Sequence, residues 1–174
     1  SLLNGAYASV NYATTTTGTF TIHVRGCFDN IIGNQYERMF RNNNDALCVY
    51  YVKGSKNFGV KLANMGGGNN TVHDTSKAGW SGGSNTMNVD YDVIGVETMH
   101  DFVYTADGTT IKFYLDGELL ASQNQSILKA GTSYALGNIQ NGSNSYNANI
   151  TIEKWRIFGY ALSAEEVAGL INSN

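Results

Sequence analysis

The sequence predicts an all-β domain of antiparallel strands with one short helix near its C-terminal end. Two Asp-Gly pairs, Asp107-Gly108 and Asp116-Gly117, separate three runs of alternating apolar and polar residues within positions 102–122. Asp-Gly favours tight hairpin turns, because Gly tolerates positive φ and Asp tolerates the left-handed conformation. This stretch therefore predicts a three-stranded meander. A capping box, Ser163-x-x-Glu166, predicts the helix that follows the last strand.

Alternation also predicts strands ahead of the meander. From Gly18 to Phe28, the apolar residues Phe20, Ile22 and Val24 alternate with polar ones, as in a strand with one face in a core. Further strands are predicted over 36–40, 47–52 and 58–62, with turns rich in Asn, Gly and Ser between them.

A polar, glycine-rich segment follows from Met65 to Thr86, and it has too few apolar residues for a core strand over most of its length. We expect a long loop there, and such loops in compact domains are usually functional or disordered. Trp80 lies in it among small residues, so its indole is either an accessible platform for a ligand or an apolar plug that fixes the loop. From Met87 to Val93, alternation predicts one more strand.

The C-terminal part of the chain carries a resemblance to a known family. His100 to Leu120, together with Trp155–Phe158 and Ala161–Val167, resembles the laminin G-like branch of the concanavalin A-like jelly rolls. The resemblance implies a sandwich of two antiparallel sheets, an extracellular or cell-surface location and, in many members, one structural or bridging calcium. Such domains bind glycans or proteins and some relatives are glycanases, so the fold alone does not choose a function.

Length and composition limit the alternatives. The 174 residues, 42% of them hydrophobic, are expected to form a single domain over 1–174. Only 14% are charged and the net charge is −3, so no basic surface for nucleic acid is predicted. No apolar run approaches the length of a membrane span. The chain begins at Ser1 without a signal peptide, and we expect it to be cut from a longer polypeptide.

The two cysteines, Cys27 and Cys48, allow two interpretations. They could form a disulfide in a secreted protein, or each could be a small buried hydrophobe in its strand. Neither has a neighbouring His that would activate a thiol nucleophile, so a catalytic thiol is not expected.

The polar row Asn88, Asp90 and Asp92 is predicted to lie on one face of the strand over 87–93. Residues two apart on a strand are separated by roughly 6.6 Å, near the lower limit for the carboxylates of inverting glycosidases. The glucanases that this fold resembles carry Glu-x-Asp-x-Glu on one strand, whereas here Asn88 holds the first position. Because an amide cannot be the carboxylate nucleophile, no catalytic residue is predicted. The row could instead hydrogen-bond a sugar, supply Asp90 and Asp92 to a calcium ion, or simply face solvent.

Other positions are candidates for ligand contact or for structural roles. Tyr36 lies at the start of a strand and Tyr146 in a polar loop, so either could reach a ligand. Arg38 either pairs with a neighbouring acid or, as the resemblance implies for some sialic-acid-binding modules, clamps a ligand carboxylate. His100 is expected to have a structural hydrogen-bonding role, and Trp155 is expected in the core.

The sequence thus predicts a non-catalytic carbohydrate-binding module of a secreted or surface protein. The alternatives are a protein-binding or adhesion domain and, less favoured, a glycoside hydrolase. A polysaccharide or glycan is the expected partner, calcium the one cofactor considered, and the sequence does not indicate an oligomeric state. The predicted ligand-binding residues are Trp80, Asn88, Asp90, Asp92, Tyr36, Arg38 and Tyr146.

Overall fold

A computed structural model describes residues 8–10, 18–42, 47–54, 57–62, 72–73, 80–82, 86–124, 133–137 and 146–173. Within them the elements are, in chain order, β1 (Ala8–Val10), β2 (Thr19–Asn30), β3 (Tyr36–Asn42), β4 (Leu47–Val52), β5 (Asn57–Leu62), β6 (Val72–His73), β7 (Trp80–Gly82), β8 (Thr86–Asp90), α1 (Tyr91–Ile94), β9 (His100–Asp107), β10 (Thr110–Leu115), β11 (Glu118–Asn124), β12 (Tyr134–Leu136), β13 (Asn149–Phe158) and α2 (Ala164–Asn172).

The strands form two antiparallel sheets that pack face to face, as predicted for a jelly-roll sandwich. The seven-stranded sheet has the order β1-β12-β3-β4-β5-β8-β7, and the six-stranded sheet has the order β13-β2-β9-β10-β11-β6. Neighbours in each sheet include strands far apart in sequence, such as β13 beside β2. The fold class predicted from the sequence is therefore confirmed.

The core lies between the sheets and follows the alternation of the strands. In β2 the fully buried Phe20, Ile22 and Val24 belong to one cluster with apolar residues of the opposite sheet, among them Val49 and Phe58. Burying an aliphatic or aromatic side chain of this size stabilises a fold by about 1.5–3 kcal/mol. Because a shift of one residue would turn each apolar row outward, this burial fixes the register of the central strands.

Both predicted turns of the meander are present. Asp116 and Gly117 have φ values of 51° and 85° and connect the paired residues Leu115 and Glu118, as a tight hairpin requires. In the other turn, the Asp107 carboxylate accepts hydrogen bonds from the backbone N–H groups of Thr109 and Thr110, at 2.8 and 2.7 Å. Both Asp-Gly pairs thus form the tight turns that their backbone preferences predict.

The predicted capping box begins α2. The Ser163 hydroxyl accepts a hydrogen bond from the Glu166 backbone N–H at 3.2 Å, and the Glu166 carboxylate accepts one from the Ser163 N–H at 2.7 Å. The helix packs Val167 against Val103 and Tyr114 on the outer face of the six-stranded sheet. That face is therefore partly covered by the C-terminal segment.

The predicted strand over 87–93 is wrong in its second half. β8 ends at Asp90, and the next four residues form α1. The Tyr91 ring stacks on Phe58 with centroids 5.8 Å apart, and Ile94 is buried in the core. Packing of these residues under the end of the sheet overrides the local alternation, so Asp92 lies on a helix and does not continue the strand row.

The predicted loop over 65–86 contains two short edge strands in its described part. β6 pairs with β11 at the edge of one sheet, and β7 pairs with β8 at the edge of the other. Edge pairing needs only backbone hydrogen bonds, so the low apolar content does not prevent it. The rest of this segment lies outside the described residues.

The disulfide interpretation of the cysteines is wrong, and the buried-thiol interpretation is confirmed. Cys27 lies in β2 of one sheet and Cys48 in β4 of the other, and both are buried and unbridged. Burial raises the pKa of the Cys27 thiol, which lowers its reactivity. Within the described ranges, no helix is long and apolar enough to span a membrane.

Candidate functional site

A pocket of about 210 Å³ opens on the outer face of the seven-stranded sheet and is lined by Tyr36, Arg38, Tyr50, Lys61 and Tyr146. The first four come from the adjacent strands β3, β4 and β5. Their neighbours along each strand, such as Glu37, Val49 and Val60, are buried. Because side chains alternate between the faces of a strand, core packing on one side turns this polar and aromatic set outward.

Three tyrosines form one aromatic group in the pocket. Tyr36 and Tyr146 are nearly parallel, with ring centroids 6.0 Å apart and planes inclined by 13°. Tyr50 meets Tyr36 edge-on, with a centroid distance of 5.9 Å and an interplanar angle of 72°. Aromatic pairs of this geometry contribute about 0.5–1.5 kcal/mol beyond their buried area. The three rings therefore hold one another in fixed orientations.

Arg38 packs on the same group. Its guanidinium carbon lies 4.3 Å from the centroid of the Tyr146 ring, within the range of a cation–π contact. Such a contact uses the face of the guanidinium, whose N–H donors all lie in its plane. Tyr146 therefore contacts both Tyr36 and Arg38, which attaches the segment before β13 to β3.

The Tyr50 ring packs against the backbone of Gly59. The two residues are directly paired across β4 and β5. A Cβ atom placed on Gly59 would lie 2.8 Å from Cε2 and 2.8 Å from the hydroxyl oxygen of Tyr50, closer than real Cβ atoms come to other atoms. The ring thus lies directly over the glycine, and any side chain at position 59 would displace it.

Partly buried hydrogen bonds attach the residue after Tyr146 to the loop before β3. The buried Glu37 carboxylate accepts backbone hydrogen bonds from Gly33 at 2.7 Å and Asn34 at 3.2 Å. The Asn34 side-chain amide in turn donates to the backbone carbonyl of Asn147 at 3.0 Å. Burial raises the pKa of Glu37, and the N–H donors partly oppose this rise. This chain of contacts connects β3 through the 31–35 loop to the residue after Tyr146.

The structure brings together three of the predicted ligand residues, namely Tyr36, Arg38 and Tyr146. Sequence reasoning missed Tyr50 and Lys61 as pocket residues. The signal for Tyr50 was its position between Val49 and Tyr51, since these two belong to the core and Tyr50 must then face outward. Nothing in the sequence marks Lys61 apart from its place on the polar face of β5.

The other predicted residues lie elsewhere. The backbone of Trp80 is in the edge strand β7 opposite Val89, and that of Asn88 is in β8 opposite Gly59. The side chains of Trp80 and Asn88 lie outside the described residues. Asp90 is exposed at the end of β8, and Asp92 is exposed on α1.

The calcium prediction concerns Asp90 and Asp92. No group of three or more His, Cys, Asp or Glu residues in them is arranged to hold a metal ion. Asp90 and Asp92 supply two carboxylates on separate elements, fewer oxygens than the six to eight that calcium takes. Calcium binding at Asp90 and Asp92 stays a prediction from the sequence.

His100 has the structural role predicted for it. One ring nitrogen lies 2.7 Å from the Asp116 carboxylate and the other 3.1 Å from the Ile94 carbonyl oxygen. Burial lowers the pKa of His100, but the hydrogen bond and charge of Asp116 outweigh it and the net shift is upward. The pair fixes the Asp116-Gly117 turn to the start of β9. Trp155, expected in the core, packs against it but is only half-buried.

A second polar cluster lies on the outer face of the six-stranded sheet and was not predicted. The fully buried His23 lies 2.6 Å from the Asp101 carboxylate, which also accepts a hydrogen bond from Arg25. Burial lowers the pKa of His23, and Asp101 opposes the shift. Asp101 thus pairs with both His23 and Arg25, whereas the other His23 ring nitrogen, Nδ1, is buried without a hydrogen-bond partner among the described residues.

A larger hollow of about 320 Å³ lies between the Asp116-Gly117 turn and the last turns of α2. Its described lining includes Glu118, Ala168 and Ile171 but no aromatic residue. The aromatic pocket on the other sheet is therefore the better candidate for a ligand site, despite its smaller volume.

Comparison with known proteins places this fold in a family. Residues 3–168 match the concanavalin A-like lectin/glucanases superfamily, and the chain belongs to it. No curated protein is similar enough to count as a match.

Solved structures share the fold at low identity. A sialidase of Trypanosoma rangeli, solved with 2,3-difluorosialic acid as a covalent intermediate, is 12% identical with a TM-score of 0.68, and the match covers 97% of this chain and 26% of the sialidase. A botulinum neurotoxin type C structure, whose description reports interaction with two ganglioside molecules, is 16% identical with a TM-score of 0.60, covering 96% of this chain and 39% of that one.

The binding domain of botulinum neurotoxin DC, solved with rat synaptotagmin II, is 14% identical with a TM-score of 0.61, covering 96% of this chain and 40% of that one. The chain therefore spans between a quarter and two-fifths of these proteins, and at such identities the likeness concerns the fold.

Proposed function

We propose that the chain is a non-catalytic carbohydrate-binding domain of a secreted or surface-attached protein, and that it binds a glycan in the aromatic pocket. The observation that carries this proposal is the convergence of Tyr36, Tyr50, Tyr146, Arg38 and Lys61 on one pocket of about 210 Å³. Aromatic rings pack against the C–H faces of sugars, and hydroxyl and cationic groups hydrogen-bond to sugar hydroxyls. Both kinds of group are present within one sugar-sized opening.

The size of the pocket suits one residue of a longer glycan. Pockets for drug-sized ligands have about 300–1,000 Å³, and this one is smaller. We therefore expect a single sugar ring to enter, while the rest of the glycan lies along the sheet. Such shallow and hydrated contacts give an expected Kd in the micromolar to millimolar range.

The described lining favours binding over cleavage. Glycosidases generally need two carboxyl groups on either side of the scissile bond. None of the five lining residues in the described part of the chain is acidic. Glu37 lies between Tyr36 and Arg38 in the sequence, but its side chain is buried on the opposite face of the strand. Its carboxylate accepts hydrogen bonds from backbone N–H groups of the 31–35 loop. We therefore propose no hydrolytic role for this pocket.

The structural neighbours support a glycan ligand without identifying one. The sialidase was solved with a sialic acid derivative, and the neurotoxin type C description reports ganglioside interaction. The neurotoxin DC domain was solved with a protein partner, so the fold also accommodates protein binding. Among the described residues, however, the exposed large hydrophobic side chains are Val10 on β1, Leu119 on β11 and Tyr160 in the connector between β13 and α2. They form no broad apolar patch of the kind a protein-binding face usually shows.

The test is a glycan array followed by calorimetric titration of the best ligand, with and without calcium. Tyr36→Ala and Tyr146→Ala should each weaken binding by about two- to tenfold, since each removes one aromatic contact. Tyr160→Ala is the matched control, because Tyr160 is exposed and lies beyond β13 near α2. Absence of binding to every glycan would refute the proposal.

A second arm tests the position of the site. Trp80→Ala should leave the affinity unchanged if the aromatic pocket binds the ligand. If Trp80→Ala abolishes binding while Tyr36→Ala has no effect, the site lies in the glycine-rich segment and the pocket assignment is wrong.

A further inference from the structure

Glu37 is a buried charged residue directly behind the aromatic pocket. It lies in β3 between the pocket residues Tyr36 and Arg38, and its own side chain is fully buried on the opposite face of the strand. There it is paired across the sheet with Tyr51 of β4, which belongs to the core. Because burial removes the hydration of a carboxylate, such a group is rarely buried unless it is hydrogen-bonded or paired with a charge. The partners of Glu37 must therefore replace that hydration.

Three consecutive backbone N–H groups converge on the Glu37 carboxylate. Ile32 donates to one oxygen at 3.1 Å, and Gly33 and Asn34 donate to the other at 2.7 and 3.2 Å. Gly33 has a φ of 89°, in the left-handed region that glycine tolerates best. Successive N–H groups that such a conformation turns to one side form a small anion-binding concavity. The backbone of the 31–35 loop is thus folded around the carboxylate.

The same loop is attached to the pocket through Asn34. Its side-chain amide donates a hydrogen bond to the backbone carbonyl of Asn147 at 3.0 Å. Asn147 is buried and directly follows Tyr146, whose ring stacks on that of Tyr36. Tyr146 is thus connected to β3 by its own ring and, through the next residue, by Asn34. Tyr36 is the covalent neighbour of Glu37, and Asn34 belongs to the loop that the Glu37 carboxylate binds, so both connections lead to one buried charge.

We propose that Glu37 is a positioning residue of the aromatic pocket. Its carboxylate holds the 31–35 loop, and Asn34 of this loop holds Tyr146 where a ligand contacts it. The inference rests on the proposed function, because it concerns how the same pocket is kept in its binding geometry, and Glu37 itself does not touch the ligand. Coupling of this kind is reciprocal. A ligand bound to Tyr146 must therefore stabilise the loop, just as the loop favours binding.

The first experiment follows the loop by NMR hydrogen exchange and needs no ligand. Glu37→Leu removes every acceptor, so the amides of residues 32–34 should exchange at least about tenfold faster, as hydrogen bonds to a charged group imply. Glu37→Gln retains one carbonyl oxygen. It can accept the N–H groups of Gly33 and Asn34, which share one oxygen in the wild-type protein, so the amide of Ile32 should be affected most. Thermal denaturation verifies that both variants fold.

Unchanged exchange of these amides in Glu37→Leu would overturn the inference. Should Glu37→Leu fail to fold, an unchanged Ile32 amide in Glu37→Gln would overturn it equally.

Asn34→Ala separates positioning from stability. It leaves Glu37 and its three backbone hydrogen bonds in place and removes only the side-chain bond to Asn147. Titration calorimetry with the best ligand of the glycan array should show about two- to tenfold weaker binding, since one neutral hydrogen bond is lost. The matched control is Asn30→Ala. Asn30 accepts an exposed hydrogen bond from the side chain of Asn149 at 2.8 Å, and this bond does not involve Asn147, so its loss should leave the affinity unchanged.

A ligand-dependent measurement completes the test, because a purely structural residue would not affect it. Saturating ligand should slow the exchange of the 32–34 amides several-fold in the wild-type protein and much less in Asn34→Ala. The inference is refuted if Asn34→Ala binds like the wild type, if Asn30→Ala weakens binding as much, or if the ligand leaves these amides unaffected. In each case the glycan site stands, provided that Tyr36→Ala weakens binding. If no glycan binds the wild-type protein, the proposed function itself has failed and the inference fails with it.

Discussion

Replacing Gly59 by alanine tests whether the pocket works by holding the Tyr50 ring in place. This variant keeps all five lining side chains and adds one methyl group beneath the ring. The new Cβ would lie 2.8 Å from Tyr50 Cε2 and closer still to Cζ, whereas carbon atoms in contact are about 3.5–4.0 Å apart. The end of the ring must therefore move by about 1 Å or more. Because the clashing atoms belong to the far end of a side chain, the backbone can stay where it is.

We expect binding to change more than stability in Gly59→Ala. Alanine in a strand gains about 0.5–1 kcal/mol over glycine through a smaller loss of backbone entropy. The displaced ring loses aromatic contacts worth about 0.5–1.5 kcal/mol, so the net change in unfolding free energy should stay within about 1 kcal/mol. A displacement of 1 Å is enough to disrupt a binding site. Titration with the best glycan should therefore show about a tenfold weaker Kd.

Two comparisons make this result specific. Gly54→Ala, in the turn of the same hairpin, has no atom within 4 Å of the added methyl group and should leave the affinity unchanged. In the Tyr50→Ala background, Gly59→Ala should have no further effect on affinity, since the ring it displaces is gone. If Gly59→Ala weakens binding equally in both backgrounds, the ring is not the mediator and the reasoning is refuted.

Three further predictions concern stability. Gly169→Ala, in α2 with open space around the added methyl group, should stabilise the protein by about 1 kcal/mol and raise Tm by about 2–4 °C. Gly26→Ala should destabilise it by about 1–3 kcal/mol in urea unfolding, because the methyl group would lie 2.7 Å from the backbone oxygen of Thr151, which cannot swing aside. The pKa of His100 is raised and that of Asp116 is lowered, so the two groups are both charged and paired between pH 3.8 and 6.5, their usual pKa values. The stability that this pairing contributes is lost as the pH rises through the folded-state pKa of His100 or falls through that of Asp116. Asp116→Asn should therefore lose more unfolding free energy at pH 5.5 than at pH 9, by less than about 1 kcal/mol because Asp116 is half-exposed, and an equal loss at both values would contradict the assignment.

Features set by neighbouring residues could be predicted from the sequence. The turns at Asp107-Gly108 and Asp116-Gly117 depend on the backbone preferences of two residues, and the helix start at Ser163 depends on contacts over three positions. The alternation in β2 likewise shows its buried face within one strand. These features need no information from distant parts of the chain, so the all-β class followed from them, and the two-sheet sandwich followed from the family resemblance.

The pocket could be predicted only in part. Tyr36, Arg38 and Tyr146 were candidates by residue type, but nothing local showed that Tyr146 stacks on a ring more than a hundred positions away. Asp92 was assigned to a strand because the alternation continued past Asp90, and only the packing of Tyr91 on Phe58 shows why the chain turns there.

What the sequence determined by itself was the longer strands β2 to β5, the meander of β9 to β11 with its turns, and the faces of these strands that enter the core, because these depend on interactions within a few residues. What only the tertiary structure decided was which strands are neighbours and in what register. That register placed Tyr50 over Gly59 and brought Arg38 and Lys61 to one pocket. Strand order and register are chosen by the combined packing of both sheets, a property of the whole chain that no single segment contains.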